Sequence, residues 1–286
     1  MTEKRRLSTN VPGDFYVNSA CIDCDTCRQL APGSFSEIGG YSAVTRQPES
    51  EDEVRRAFQA LLACPTAAIG SERKEGLAAA MDDFPLRLHE NVYYCGFTSA
   101  KSFGGSSYFI QRPEGNWLID APRWIPALVR KFEEMGGIDT IFLTHRDDIA
   151  DAAQYAERFG AKRIIHEAER SAQPDAEHFV QGTDPIDWDG DFRIVPVPGH
   201  TKGHIVLLYR ETYLFTGDHL AWDRHTQELE AFDDYCWYSW PEQTASMERL
   251  AGESFEWVLP GHGERVRLPR SEMAAAMERL VRRMKG

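Results

Sequence analysis

The residues able to do chemistry fall into two groups, and the first is a run of thiols. Cys21-Ile22-Asp23-Cys24-Asp25-Thr26-Cys27 places three cysteines two residues apart, and a fourth, Cys64, stands directly before Pro65. Two intervening residues let one tight loop wrap three thiolates around the corners of a cubane iron–sulfur cluster, while the fourth ligand comes from elsewhere in the chain. Only one such triplet exists, so Cys64 is the residue left to close the same cluster. Four thiolates also suit Zn²⁺ in a closed structural site, although zinc ribbons normally use two separated C-x-x-C pairs. Cys95 and Cys236 stand alone and read as buried or half-buried structural cysteines.

The second group is built from histidine and aspartate. Ile141-Phe142-Leu143-Thr144-His145 is an apolar strand that ends on a ligand-capable side chain, and Arg146-Asp147-Asp148-Ile149-Ala150-Asp151 follows it. Next comes Pro198-Gly199-His200-Thr201-Lys202-Gly203-His204. Leu214-Phe215-Thr216-Gly217-Asp218-His219 is another strand ending in a carboxylate, and Val258-Leu259-Pro260-Gly261-His262-Gly263 repeats the pattern. Strand ends that deliver His or Asp, two of them after a glycine, are the plan of a metal site. Imidazole and carboxylate together suit one zinc, iron or manganese ion. His204 and His219 neighbour these residues and read as groups that orient ligands or support structure. His166 ends a strand and faces either a pocket or solvent, and His225 lies in a charged loop and reads as solvated. Trp222, Trp237, Tyr238 and Trp240 either wall a cleft or pack as core and loop anchors.

These groups need elements to hold them. Residues 12–72 form a first domain. In it Phe15-Tyr16-Val17 and Tyr41-Ser42-Ala43-Val44 read as strands, with a turn at Gly39-Gly40. Val54, Ala57, Phe58, Leu61 and Leu62 recur at helical spacing over Glu51–Ala63, and that helix should stop at Cys64 because Pro65 disfavours helical geometry before it. Residues 73–88 are charged and alanine-rich and read as a linker with about one helical turn. In 89–286 short strands alternate with helices. The strands include Ser107–Gln111, Trp117–Asp120, Thr140–Thr144, Arg163–Ile165, Phe192–Pro196, Ile205–Tyr209 and Tyr213–Thr216. The helices include Trp124–Glu134, Asp148–Phe159 and Ser271–Met284.

The 286-residue chain carries a formal net charge of −13. Such acidity argues against nucleic acid and anionic membrane as partners, because both bindings rest on neutralising phosphate. No apolar run approaches the length of a bilayer span, and Met1–Pro12 is basic with no apolar stretch after it, unlike a secretory signal. The expected location is cytoplasmic, where clustered cysteines serve metals rather than disulfides.

Residues 14–70 resemble single-cluster bacterial ferredoxins in motif order, Cys-Pro placement and length. That implies a [4Fe–4S] centre on Cys21, Cys24, Cys27 and Cys64 that transfers electrons or serves structure or sensing. At P-G-H-T-x-G-H, T-G-D and the late G-H-G, roughly residues 85–286 resemble the metallo-β-lactamase superfamily. Together the resemblances imply an α+β chain, with a small ferredoxin-like domain followed by a four-layered αβ/βα sandwich whose metal site lies at one edge of its two sheets. His145 and His200 would then ligate a first metal, Asp218 would bridge two, and His262 would ligate the second. The superfamily's first motif, H-x-H-x-D-H, is altered here. Asp147 stands where the second histidine belongs, and Ile149 and Ala150 replace the aspartate and last histidine. The chain resembles a ferredoxin-linked subfamily of bacteria and plants that often shifts its D-H pair two residues later; this chain keeps Asp151 but has Ala152 in the histidine's place. The carboxylate beside the first histidine is also similar to the iron-using flavodiiron branch. By this count at most one metal binds tightly, through His145, His200 and Asp218, with Asp147 available as a fourth ligand. The second position keeps only His262, a shared Asp218 and the offset Asp151.

Three functions are compatible with these readings. The first is a metallo-hydrolase of a small-molecule ester, thioester or related substrate. The second is an oxidoreductase that passes electrons from the cluster, supplied by an electron-transfer partner, to an iron ion. The third is a non-catalytic redox sensor or scaffold. The cysteine spacing predicts that anaerobically purified protein is brown, bleaches with dithionite and contains iron and labile sulfide in equal amounts, and that Cys24→Ser sharply lowers that content. Stoichiometric zinc without sulfide, in protein made with ample iron, would contradict the cluster.

Overall fold

The computed structural model describes residues 4–286, so Met1–Glu3 of the basic N-terminal stretch lie outside the described residues. The chain forms two compact units. The first extends to Asn116 and includes Pro122–Gly137; the second comprises Trp117–Ala121 and Ile138–Gly286.

In the first unit, Phe15–Val17 pairs antiparallel with Ile69–Ser71, and Phe35–Glu37 pairs antiparallel with Ser42–Val44. The turn of that hairpin uses Gly39 and Gly40, both at positive φ. Helix Glu51–Ala63 starts with a capping box. The Ser50 side chain accepts from the Glu53 backbone, and the Glu53 carboxylate accepts from the Ser50 backbone. Glu51, Asp52 and Glu53 crowd the positive end of its dipole. The helix stops at Cys64, whose φ of −56° and ψ of 122° are the extended geometry that the following proline imposes. Residues 73–88 carry helix Leu77–Asp82 and most of strand Leu86–His89, with Ala80 and Phe84 buried. Small alanine side chains let this helix pack closely on Glu51–Ala63, and Asp83 accepts from Arg55 and Gln59 of that helix. Leu86–His89, Val92–Tyr94 and Tyr108–Ile110 then form an antiparallel meander. Helix Pro126–Glu134 begins at its proline, which suits a first turn where no N–H is needed.

The second unit has four layers. Trp117–Ile119, Thr140–Phe142, Lys162–His166 and His178–Val180 pair in parallel, in the spatial order given. Helix Ala152–Phe159 packs against this ladder. The other sheet runs in the order Ile186–Asp187, Phe192–Pro196, Ile205–Tyr209, Tyr213–Gly217, Trp257–Pro260, Val266–Arg267. Tyr213–Gly217 and Trp257–Pro260 are parallel neighbours, so the chain between them must cross over, and it does so through helix Trp240–Leu250. Trp117 stacks on Phe192 with ring centroids 4.0 Å apart, joining the two sheets. The second sheet is covered by helix Arg270–Lys285, whose Met273, Ala276, Met277 and Leu280 follow the three-and-four spacing of one helical face. This stripe and Met247 and Leu250 bury Val195, Leu208, Leu214 and Val258 of the sheet. No helix among the described residues is long and apolar enough to cross a membrane.

Met277 is 1% exposed, whereas its neighbour Glu278 has a 71% exposed side chain paired with Arg282. Met277→Ala should lower the unfolding free energy by about 2–5 kcal/mol. Glu278→Ala should change it by no more than about 0.5 kcal/mol. Denaturant titration of both variants checks the contrast.

Candidate functional site

The four cysteines of the first unit converge as their spacing requires. Asp23 and Asp25 adopt left-handed backbone, at φ 58° and 65°, which aspartate tolerates better than most residues. These two reversals curl the loop so that Cys21, Cys24 and Cys27 line one small cavity with Cys64. All six cysteines are free of disulfides. Backbone N–H groups of Asp23 and Ser42 donate to Cys21 Sγ, each at 3.4 Å, and that of Ala68 donates to Cys64 Sγ at 3.3 Å. Such donors favour thiolate charge. Burial opposes it, pushing the Cys27 thiol up to about 12, so deprotonation needs a cationic centre in the cavity. Arg28, itself buried, pairs with both Asp23 and Asp25 and donates to Ser42 Oγ, which neutralises the loop's carboxylates. Gly104 touches this loop so closely that a Cβ there would lie 2.6 Å from Cys24 Cβ.

In the second unit, strand ends deliver the imidazoles and carboxylates to one place. His145 Nε2 lies 3.8 Å from Asp147 Oδ2 and 3.7 Å from Asp218 Oδ2. His200 Nε2 lies 3.7 Å from each of the same two atoms. His262 Nε2 lies 3.9 Å from Asp218 Oδ2 and 4.0 Å from Asp148 Oδ1. These gaps are too long for hydrogen bonds and short enough for a small cation to reach the donors on both sides. His145 Nε2, His200 Nε2, Asp218 Oδ1 and both Asp148 carboxylate oxygens are buried and meet no hydrogen-bond partner within the protein. Buried polar groups are rarely left so, and the donor set therefore fits a metal ion.

The electrostatics agree. Burial lowers His145 to about 4, which keeps the imidazole neutral and its lone pair available. Asp148 is raised well above the carboxylate range, first by burial and then by the charges of Asp218, Asp120 and Asp147. Asp147 is the half-exposed member, and the His200 ring beside it holds its carboxyl below the usual range. Behind His145 stands a chain of polar groups. Thr144 Oγ1 lies 3.0 Å from His145 Nδ1 and donates to Asp120 Oδ2 at 2.9 Å, while Asp120 Oδ1 accepts from the Thr144 backbone at 2.8 Å. With its Nδ1 proton donated to Thr144, His145 turns the Nε2 lone pair toward the carboxylates.

Of the residues singled out from sequence, His145, Asp147, His200, Asp218 and His262 come together. Asp151 does not join the clusters of donors; it occupies the N-cap position of helix Ala152–Phe159, without a side-chain cap hydrogen bond, and that helix begins four residues later than the span Asp148–Phe159 expected from sequence. Asp148 takes the inward position instead, 2% exposed. His204 and His219 are fully buried, and the His204 ring stacks on His145 with centroids 4.7 Å apart. His166 caps the Glu167–Ala172 turn by accepting from Ala168 N, and His225 is exposed. Trp222 packs partly against the sheet core, Trp240 opens a helix, and Trp237 and Tyr238 are exposed. Sequence reasoning missed Asp148 and Asp120; the apolar strand ending at Ile119 was the one signal for the latter.

Residues 87–275 match the family model described as "Metallo-beta-lactamase superfamily". The chain belongs to that superfamily. Residues 17–71 match a second model, "4Fe-4S single cluster domain of Ferredoxin I". A hydroxyacylglutathione hydrolase of Acidiphilium cryptum (strain JF-5) is 31% identical over 121 residues, covering 41% of this chain and 46% of that protein. Another, from Photorhabdus laumondii subsp. laumondii, is 38% identical over 105 residues, covering 36% of each. The matches thus span less than half the length of either relative. The metallo-beta-lactamase FIM-1 from Pseudomonas aeruginosa superposes with a TM-score of 0.53 at 15% identity, covering 69% of this chain and 93% of its own. A metallo-beta-lactamase family protein from Thermus thermophilus gives 0.52 at 18%, covering 70% and 81%. Both show the superfamily fold.

The positions of the two neighbouring aspartates predict opposite outcomes for two conservative variants. Asp148→Asn should lower the metal content of desalted protein, beyond the cluster iron, whereas Asp151→Asn should leave it unchanged. Elemental analysis of both, normalised to sulfide, checks the pair.

Proposed function

We propose that this chain is a metal-dependent hydrolase of a small-molecule ester or thioester, accompanied by a [4Fe–4S] cluster on Cys21, Cys24, Cys27 and Cys64. The observation that carries the reading is the convergence of partnerless imidazole and carboxylate atoms at the strand ends of a metallo-beta-lactamase fold. His145, Asp147, His200 and Asp218 would hold one cation. Asp148, Asp218 and His262 offer a second position, in which Asp148 makes up for the ligands that Ile149 and Ala150 cannot supply. When bound, a divalent cation polarises the substrate carbonyl and makes water acidic enough to attack at neutral pH.

The protein's own residues do the rest. Asp120 and Thr144 fix the ring of His145, as outer partners of metal-bound histidines commonly do. Stacked His204 closes the far side of that ring and excludes water from it. Asp147, alone among these donors in being half-exposed, marks the side from which substrate arrives. The thioester class is favoured by the hydroxyacylglutathione hydrolases among the relatives, whose name describes a thioesterase. A carboxylate at position 147, where an imidazole belongs, hardens the donor set and brings iron or manganese into competition with zinc.

The test is anaerobic purification with metal and sulfide analysis, followed by assay of a thioester panel on protein loaded with zinc, iron or manganese. Hydrolysis well above the uncatalysed rate is expected with at least one metal. Thr144→Val should weaken metal affinity by about 10–100-fold. Protein that binds no metal beyond the cluster, or binds it and hydrolyses nothing, would overturn the proposal.

A further inference from the structure

An aromatic segment stands beside the donors. Tyr235, Trp237 and Tyr238 are 60%, 65% and 44% exposed and lie within four residues of one another. Large apolar rings clustered in contact with water mark a binding surface more often than chance exposure. The segment is held firmly. The Trp237 and Tyr238 backbone N–H groups both donate to His200 O, at 3.0 and 3.1 Å. Ser239 N donates to Gly199 O at 3.0 Å, and Cys236 Sγ donates to the same oxygen at 3.2 Å. The backbone that positions His200 therefore also positions these rings. Trp237 lies 6.3 Å from His200, centroid to centroid, and Tyr235 meets Trp237 edge-on at 6.2 Å.

The segment itself carries charge of one sign. Asp233 and Asp234 precede them, and Glu242 stands close to Tyr238; all three are exposed. No Lys or Arg occurs between Arg224 and Arg249, and Arg224 is paired with Glu264. Of the cations nearest in sequence to the donors, Arg146 faces Glu169 at 3.6 Å, and Lys202 is exposed on the turn whose carbonyls anchor the segment, outside the segment itself. A carboxylate on a bound molecule would be repelled along this segment, while a planar neutral group would stack on it.

We propose that Tyr235, Trp237 and Tyr238 form a subsite for a bulky, uncharged apolar group, and that the substrate is an ester or thioester carrying such a group next to the scissile bond. This rests on the hydrolase reading and sharpens it, because it separates the substrate from thioesters of an anionic peptide thiol.

The test uses the metal-loaded full chain and three thioesters: 2-naphthylacetyl and acetyl N-acetylcysteamine, both uncharged, and S-lactoylglutathione. The naphthyl thioester should have a kcat/KM about tenfold or more above that of the acetyl thioester. Trp237→Ala should cut the naphthyl value about tenfold more than the acetyl value, through KM, with metal content unchanged. An equal effect on both, or a preference for S-lactoylglutathione, would overturn the subsite. Calorimetric binding of the naphthyl thioether analogue, which cannot be hydrolysed, separates the two readings. Binding about tenfold weaker in Trp237→Ala, with no thioester turned over, would sustain the subsite and refute the hydrolase. Equal binding by both proteins would refute the subsite alone.

Discussion

The second unit is organised around a charge problem. Asp148, Asp218 and Asp120 are drawn into a buried region with His145 and His200, and several of their donor atoms face one another with no protein hydrogen. Burying a carboxylate without compensation costs several kcal/mol, so folding must leave it protonated or supply a cation. The backbone is shaped to permit that crowding. A Cβ at Gly261 would fall 2.4 Å from Asp148 Oδ2 and 2.8 Å from Asp218 Oδ1. At Gly217, φ is +49° and a Cβ would fall 2.5 Å from Thr144 Oγ1. Glycine before the aspartate and glycine before the histidine are thus the space the donors occupy. The thiol cavity follows the same logic, with Gly104 yielding to Cys24 and Arg28 neutralising the loop carboxylates.

How much of this the sequence reveals depends on whether a residue sits in a periodic or glycine-marked setting. The helix over Glu51–Ala63 announces itself by its cap, its apolar spacing and its proline, and its observed ends match. His145, His200, Asp218 and His262 are legible because apolar strands run into them. Asp148 is not, because the turn between His145 and Ala152 has no repeating geometry that tells inward from outward. Motif spacing points to Asp151, which in the structure stands where helix Ala152–Phe159 begins. Asp120 meets Thr144 across 24 positions of sequence, a contact that only strand pairing creates.

Residues 73–88 hold a helix, Leu77–Asp82, inside a stretch of low hydrophobicity. Alanine and charge give little hydrophobic signal, yet a helix of small side chains buries well against a neighbour that leaves it room, as Ala80 does. Sparse apolar content marks a linker only where no neighbouring face is shaped to receive it. Phe84, in the second half of that stretch, is fully covered.

Asp218 and His262 follow the ends of two strands that are themselves hydrogen-bonded. Gly217 sits in register with Pro260, and the Gly261 N–H donates to Gly217 O at 2.8 Å. The spacing of the two side chains is consequently a property of the ladder, as stiff as the sheet beneath it, rather than of a loop that breathes. In coordination terms the pair has a fixed bite. A small ion with short bonds can sit in such a bite, whereas calcium, which seeks six to eight oxygens at about 2.3–2.6 Å, would have to spread it against the whole sheet.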